Sequence, residues 1–265
     1  MAIKGAILGD ILGSQYEFDR PDNLDWKNIP LCIPEKAGFT DDSVMMLAIQ
    51  KALDEKLDLT ETMVEIGRHY PDCGFGGNFY SWIMNDDHRP YNSWGNGSAM
   101  RVAYVADYFN SLLDVQEWAA KTAEVSHNHP EGIKGAVVTA TCIWMAKNGR
   151  SKQDIYDYVL DEYPADQYPY SIDHDLKYLR KHYKWTEKCS DTVAPAMRCF
   201  YESTDYELFM RNIYSFKCDS DTFGAIAGGV AEEFYQGFGD IDAEGVLKQF
   251  LDQRLYGILT GNDKG

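Results

Sequence analysis

No two of the six cysteines stand as a CxxC pair; they fall at 32, 73, 142, 189, 199 and 218. That spacing excludes a zinc ribbon and a thioredoxin-type redox motif, and it suits a reduced protein. Basic runs are missing as well. The chain has 25 Lys and Arg against 42 Asp and Glu, a formal net charge of −17. A nucleic-acid duplex or an anionic membrane surface would be repelled by that field. No apolar run reaches the roughly 18 residues of a membrane span. No signal peptide opens the sequence, so the expectation is a soluble, cytoplasmic protein with no membrane partner. Strand-like alternation is scarce, and only IPLCIP (29–34) hints at it.

What the sequence does have is helical periodicity. Apolar spacing predicts helices over 2–13, 41–55, 60–70 (from a Thr60 cap), 98–110, 114–126 and 130–147. Pro130 suits a first helical turn. Further helices are expected over 151–162, 191–202, 205–215, 221–236 and 243–256. The fold class read from this pattern is all-α, a compact multi-helix single domain over 1–265. At 265 residues and 45% hydrophobic content the chain is long enough for one sizeable core. The weakly periodic stretch 163–190 reads as a surface excursion away from any site. A monomer is the expected state.

Two stretches resemble each other. GFTDDSVMMLAIQ (38–50) and KCDSDTFGAIAGGV (217–230) each place a threonine and two aspartates just before an apolar, helix-like run. One reading is ordinary capping: Thr40 closes a helix start, and Asp41 and Asp42 sit at the positive end of its dipole. The second stretch adds a reason to look further. Gly224, Gly228 and Gly229 lie inside its helix, at a cost of about 0.5–1 kcal/mol each relative to alanine. Such glycines imply that another helix comes close. The simplest partner is the helix after Thr40, with the two mouths side by side. Clustered carboxylates repel, and a cluster persists if hard cations fill it. Mg²⁺, Mn²⁺ or Ca²⁺ suit such oxygens and zinc does not.

Glycine-rich loops offer backbone amides. GNGSAMR (95–101) runs into a helix, and GFGG (74–77) does the same. Such loops are either tight turns or anion sites. His127 and His129, in SHNHPEG, have no third His or Cys at a supporting spacing; helix capping or a ligand contact is expected of them. Glu17, in GSQYEF, is a lone acid beside aromatics, and by itself reads as a solvated loop residue. Two functions follow from these residues: a metal-dependent hydrolase acting on a phosphate-bearing small ligand, or a metal-stabilised binding protein without turnover.

Taken in order, GAILGDILGSQYEF, FTDDSVMMLAI, GNGSAMRV, SHNHPEGIKGA and DSDTFGAIAGGVAEEF resemble the ADP-ribosylglycohydrolase family. That family includes the dinitrogenase reductase-activating glycohydrolase and ADP-ribosyl-acceptor hydrolase types. The resemblance implies an all-α fold, a site for two divalent cations, Mg²⁺ or Mn²⁺, and hydrolysis of the bond between ADP-ribose and an acceptor. Thr40, Asp41 and Asp42 match one half of the metal site; Asp219, Asp221 and Thr222 match the other. Glu17 matches a mobile glutamate that borders metals and substrate, and Glu17 and Asp219 are the implied catalytic acids and bases. Gly76, Gly77, Ser93, Trp94, Gly95, Asn96, Gly97, Ser98 and His127 match the ligand-holding segments. The implied partners are an ADP-ribosylated protein or an ADP-ribose-linked small molecule, with nucleic acid only as an ADP-ribosylated substrate. Lys217 and Cys218 stand where related sequences commonly carry glycine, so a changed backbone is expected there. A metal-dependent phosphoesterase and a non-catalytic reader of ADP-ribose are the alternatives.

Overall fold

A computed structural model describes residues 1–263. Among them lie fifteen helices and no strand longer than a single bridge. In chain order they are α1 (Ala2–Ser14), α2 (Asp41–Glu55), α3 (Leu59–His69), α4 (Gly77–Met84), α5 (Gly97–Met100), α6 (Ala103–Tyr108), α7 (Leu112–Glu124) and α8 (Pro130–Lys147). Then follow α9 (Lys152–Glu162), α10 (Leu176–His182), α11 (Cys189–Tyr201), α12 (Tyr206–Tyr214), α13 (Ser220–Tyr235), α14 (Ala243–Phe250) and α15 (Gln253–Leu259). One apolar cluster runs through all of these layers. None of the helices is long and apolar enough to cross a membrane.

Two helices form the axis of the molecule. α1 buries every residue from Ala2 to Gly13 except Lys4, and α13 is buried from Ser220 to Glu232. A helix that is apolar all round belongs inside a core. The two run antiparallel in a fixed register. A Cβ on Gly5 would come 2.5 Å from the Gly228 carbonyl oxygen, one on Gly9 2.2 Å from that of Gly224, and one on Gly13 2.2 Å from that of Ser220. Real Cβ atoms do not approach backbone that closely, so only glycine fits these contacts. Ser220 Oγ and Tyr206 Oη lock the register by donating to the Gly13 and Gly5 carbonyls, at 2.7 and 2.6 Å.

The close helix partner expected for the α13 glycines is therefore real, but it is α1 and not α2. The α2 mouth joins through α1. Asp10 projects from α1 and accepts from Thr40 N at 3.0 Å, Thr40 Oγ1 at 2.7 Å and Ser43 N at 3.1 Å, and also from Ser43 Oγ. So α1 carries both ends of the site.

Other sequence expectations need adjustment. The third helix is capped by Asp58, whose carboxylate accepts from Glu61 N at 2.9 Å, and Thr60 lies inside it. The helix expected over 98–110 is split into α5 and α6, because Arg101 and Val102 hold ψ near zero (−3° and −8°) and turn the chain. That over 243–256 breaks at Leu251 (ψ 134°), and Asp252 caps α15. α4 follows directly from the GFGG loop, as the reading of that loop implied, although apolar spacing did not mark it. IPLCIP forms turns and irregular backbone, with no strand. Stretch 163–190 is no loose excursion: it contains α10 and buries Tyr163, Ile172, Leu176 and Leu179.

Candidate active site

The antiparallel register dictates what meets at the C-terminal end of α1. Gly13 lies on Ser220, so residues just past α1 stand beside Asp219 and Asp221 at the α13 mouth. Asp10, one turn earlier, holds the α2 mouth in the same place. Carboxylate oxygens of Asp10, Asp42 and Asp221 lie within 4.8 Å of one another, and so do those of Glu17, Asp219 and Asp221. Asp221 belongs to both groups.

Two of these acids are short of partners: Asp42 Oδ1 and Asp221 Oδ1 are buried with no hydrogen bond among the described residues. Asp10 is the best held, by the donors of Thr40 and Ser43, and Asp219 Oδ2 accepts from Asn96 Nδ2 at 2.7 Å. A Glu17 carboxylate oxygen lies within 4.8 Å of one on Asp221. Burial first, and the charge of Asp221 second, push Asp10 up to about 7 and Glu17 up to about 10. Burial also raises Asp219 to about 6. Asp41 and Asp42 are held well above the usual carboxylate range by burial and then by Asp221; burial and then Asp219 do the same to Asp221. Like charges about 4 Å apart repel by about 4 kcal/mol at an effective dielectric of about 20. Orphaned, hard oxygen donors under this strain are the chemistry that a divalent cation relieves, so the residues present fit a metal.

Thr40 caps α2 as expected, its Oγ1 accepting from Asp42 N at 3.3 Å, and the same hydroxyl donates to Asp10 at 2.7 Å. Capping and site assembly use the same atoms. The approach through Lys217 and Cys218 keeps ordinary backbone, since neither has a positive φ, and Cys218 is buried.

Over the acids opens a cavity of about 220 Å³, whose walls include Glu17, Asp41, Asp42, Asp219, Asp221, Thr222, Gly76, Gly77, Ser93, Gly95, Asn96, Gly97 and His127. Gly76 is the N-cap of α4 and supplies no side-chain cap, and Cβ positions on Gly76 and Gly77 would face open space. Trp94 lies outside, 57% exposed, in an adjoining groove with Lys188. Ser98 points elsewhere: it is fully buried, and its Oγ donates to the Gly132 carbonyl at 2.7 Å. His129 is the cap of α8, its Nδ1 accepting from Glu131 N at 3.1 Å.

Four residues at or beside the cavity carry no local signal of their role: Asp10, Phe18, Arg101 and Glu187. Asp10 lies inside an apolar helix, where an acid is unusual but nothing nearby in the chain marks what it holds. Arg101 is fully buried at the cavity wall, and Phe18 is 70% exposed at its rim beside Trp185. Glu187 also lines the cavity, so the end of stretch 163–190 reaches the site. It does so by pairing with the glycine loop: Asn96 N donates to Glu187 O at 2.8 Å and Cys189 N to Trp94 O at 3.0 Å.

An all-α core whose central helix pair ends in a carboxylate cage beneath glycine loops is an arrangement that could hold a cation. The comparisons place it further. The sequence profile described as ADP-ribosylglycohydrolase matches residues 1–231, and the chain belongs to the ADP-ribosylglycohydrolase family. ADP-ribosylhydrolase ARH3 of Homo sapiens is 25% identical over 245 residues, covering 80% of this chain and 61% of that protein. ADP-ribosylhydrolase ARH3 of Mus musculus is 28% identical over 184 residues, covering 57% of this chain and 50% of that protein. The chain thus spans less than two thirds of the length of these relatives. The solved structure of an ADP-ribosylglycohydrolase-related protein complex superposes with a TM-score of 0.69 at 22% identity, covering 98% of this chain and 93% of that one. The fold is shared with it.

Proposed function

We propose that this chain is a metal-dependent hydrolase that cleaves the glycosidic bond between ADP-ribose and an acceptor, either a protein side chain or a small molecule, and releases ADP-ribose. The observation that carries this reading is the carboxylate cage: acids from two distant helix mouths converge with buried oxygens left over, in a chain of this family. Thr40, Asp41, Asp42, Asp219, Asp221 and Thr222 would hold two divalent cations, Mg²⁺ or Mn²⁺. When bound, such ions supply Lewis acidity toward a water and offset the charge of a diphosphate.

The remaining tasks fall to the chain's own residues. Asn96 fixes the Asp219 carboxylate, and Glu17 stands beside Asp221 at the cavity rim. Glu17 and Asp219 are thereby placed to take a proton from water or to give one to the departing acceptor. Amides of Gly76–Gly77 and of Gly97 suit diphosphate oxygens, whereas those of Gly95 and Asn96 already donate to Ser93 Oγ and the Glu187 carbonyl. Trp94 offers an exposed flat face where a base can stack.

The test measures free ADP-ribose released from arginine-, serine- and nucleic-acid-linked ADP-ribose and from O-acetyl-ADP-ribose. At least one substrate is expected to turn over with Mg²⁺ or Mn²⁺, to stop with EDTA, and to recover on metal addition. Release of inorganic phosphate or AMP in place of ADP-ribose would make the protein a phosphoesterase. Tight binding of ADP-ribose with no turnover on any substrate would make it a reader.

A further inference from the structure

His127 stands apart from the acids. It is 4% exposed and lies between Phe79 and Tyr91, with ring centroids 6.1 and 5.9 Å away. Its Nδ1 is 2.8 Å from Ser126 Oγ. Behind Ser126 lies Arg101, fully buried, whose Nη2 reaches Ser126 Oγ at 3.0 Å and the Thr122 carbonyl at 2.7 Å.

The direction of each bond follows from what these groups can do. A guanidinium only donates, so Ser126 Oγ is the acceptor from Arg101. The serine's own proton then needs an acceptor, because Ser126 is fully buried and an unmade bond there is costly. Among the described residues its one remaining partner is His127 Nδ1. An Nδ1 that accepts carries no proton. A neutral imidazole then carries its proton on Nε2. The doubly protonated ring would aim a second donor at the serine, which would strand the serine's proton. Burial, and then the charge of Arg101, also hold the His127 pKa well below the usual histidine range.

Nε2 faces the glycine loop of the cavity. A Cβ on Gly97 would come 3.0 Å from it and one on Gly95 3.6 Å. No protein atom among the described residues takes a hydrogen bond from it. Side chains at these two positions would cover the donor, so the loop's glycines keep it open.

We propose that Arg101, Ser126 and His127 form one directed chain of hydrogen bonds that fixes His127 as a neutral imidazole with its proton on Nε2. His127 is thereby a donor to a hydroxyl or phosphate oxygen of the ligand, and not a base. Arg101 and Ser126 are positioning residues that act through it. The identity of the ligand oxygen rests on the ADP-ribose reading above; the placement of the proton rests on the protein alone.

The proton is located by long-range ¹H–¹⁵N correlation on protein carrying ¹⁵N-labelled histidine, without ligand, near neutral pH. The His127 signals are identified by their loss in His127→Gln. A pyridine-like Nδ1 and a pyrrole-like Nε2 are expected; a pyrrole-like Nδ1, or an averaged pair, overturns the proposal. Ser126→Ala is expected to average the two nitrogens and to weaken ADP-ribose binding, measured by calorimetry, by about tenfold. Ser126→Thr, which keeps the hydroxyl, restores both. If Ser126→Ala leaves either the tautomer or the affinity unchanged, the chain is not what positions His127. His127→Gln retains a donor near the Nε2 position and is expected to bind within about threefold of wild type, whereas His127→Leu loses about tenfold; equal loss in the two removes the donor role. Wild type that shows the expected tautomer yet fails to bind ADP-ribose would count against the ADP-ribose reading and leave the proton placement standing.

Discussion

The α1–α13 seam and the acid cavity at its end are built on opposite terms. Along the seam the contacts are close: Gly5, Gly9 and Gly13 meet the carbonyls of Gly228, Gly224 and Ser220, and hydroxyls donate to the carbonyls of Gly5 and Gly13 themselves. In the cavity, oxygens are left over, like charges crowd together, and among the described residues the acids have no ion pair with a basic side chain. The difference teaches where the stability for a strained site comes from. The mutual repulsion of the acids is held by a backbone contact that has no slack to yield. Folding is carried at one end of the pair, and chemistry at the other.

Three measurements would break or sharpen that contrast. The largest effect is expected at the cavity. Asp42→Asn or Asp221→Asn should lower turnover on the order of 10³-fold, the scale of losing a preorganised electrostatic group. The same change should raise the melting temperature of the chelated protein, because one repelling charge is gone. Full turnover, or a lower melting temperature under chelation, would erase the distinction between the two regions.

At the seam the expected sign is reversed. Gly9→Ala improves helix propensity but drives a methyl into the Gly224 backbone, 2.2 Å from its carbonyl oxygen. Overpacking of this kind costs about 3 kcal/mol, which corresponds to a melting temperature lower by roughly 10 °C for a chain of this size. A neutral result by calorimetry would mean that the helices can slide apart.

The smallest effect is in pH. Asp10 and Asp219, raised to about 7 and about 6, bind their protons more tightly folded than unfolded. Their contribution is fully present below the unfolded value near 4 and is lost as pH rises through the folded values. The chelated protein should therefore lose thermal stability between about pH 4 and 7, and saturating Mg²⁺ should flatten that slope. A chelated protein that gains stability over this window would contradict the crowding of the acids.

Much of this arrangement was legible in the sequence, in proportion to how local its cause is. The α2 boundaries follow from a hydroxyl cap and two acids, and those of α8 from Pro130, all within one turn of chain. The glycines of α13 announced a close neighbour, but its identity was long-range, set by matching glycines in α1 some 215 residues earlier. Asp10 was missed for the same reason: its role lies in Thr40 and Ser43, which periodicity cannot connect to it. The reach of Glu187 into the cavity depends on a single bridge between Gly95 and Lys188, and no local pattern encodes such a pairing. The His127 tautomer needs three residues that touch only after folding.

The seam also acts as a ruler. Its three contacts step four residues along each helix in opposite directions, so one residue inserted between Gly5 and Gly13 would swing everything beyond it by about 100°. Asp10 would turn from the threonine it grips, and Glu17 would leave the mouth of α13. Changes of chain length are therefore lethal within this pair, and admissible only in connections that stay clear of the site.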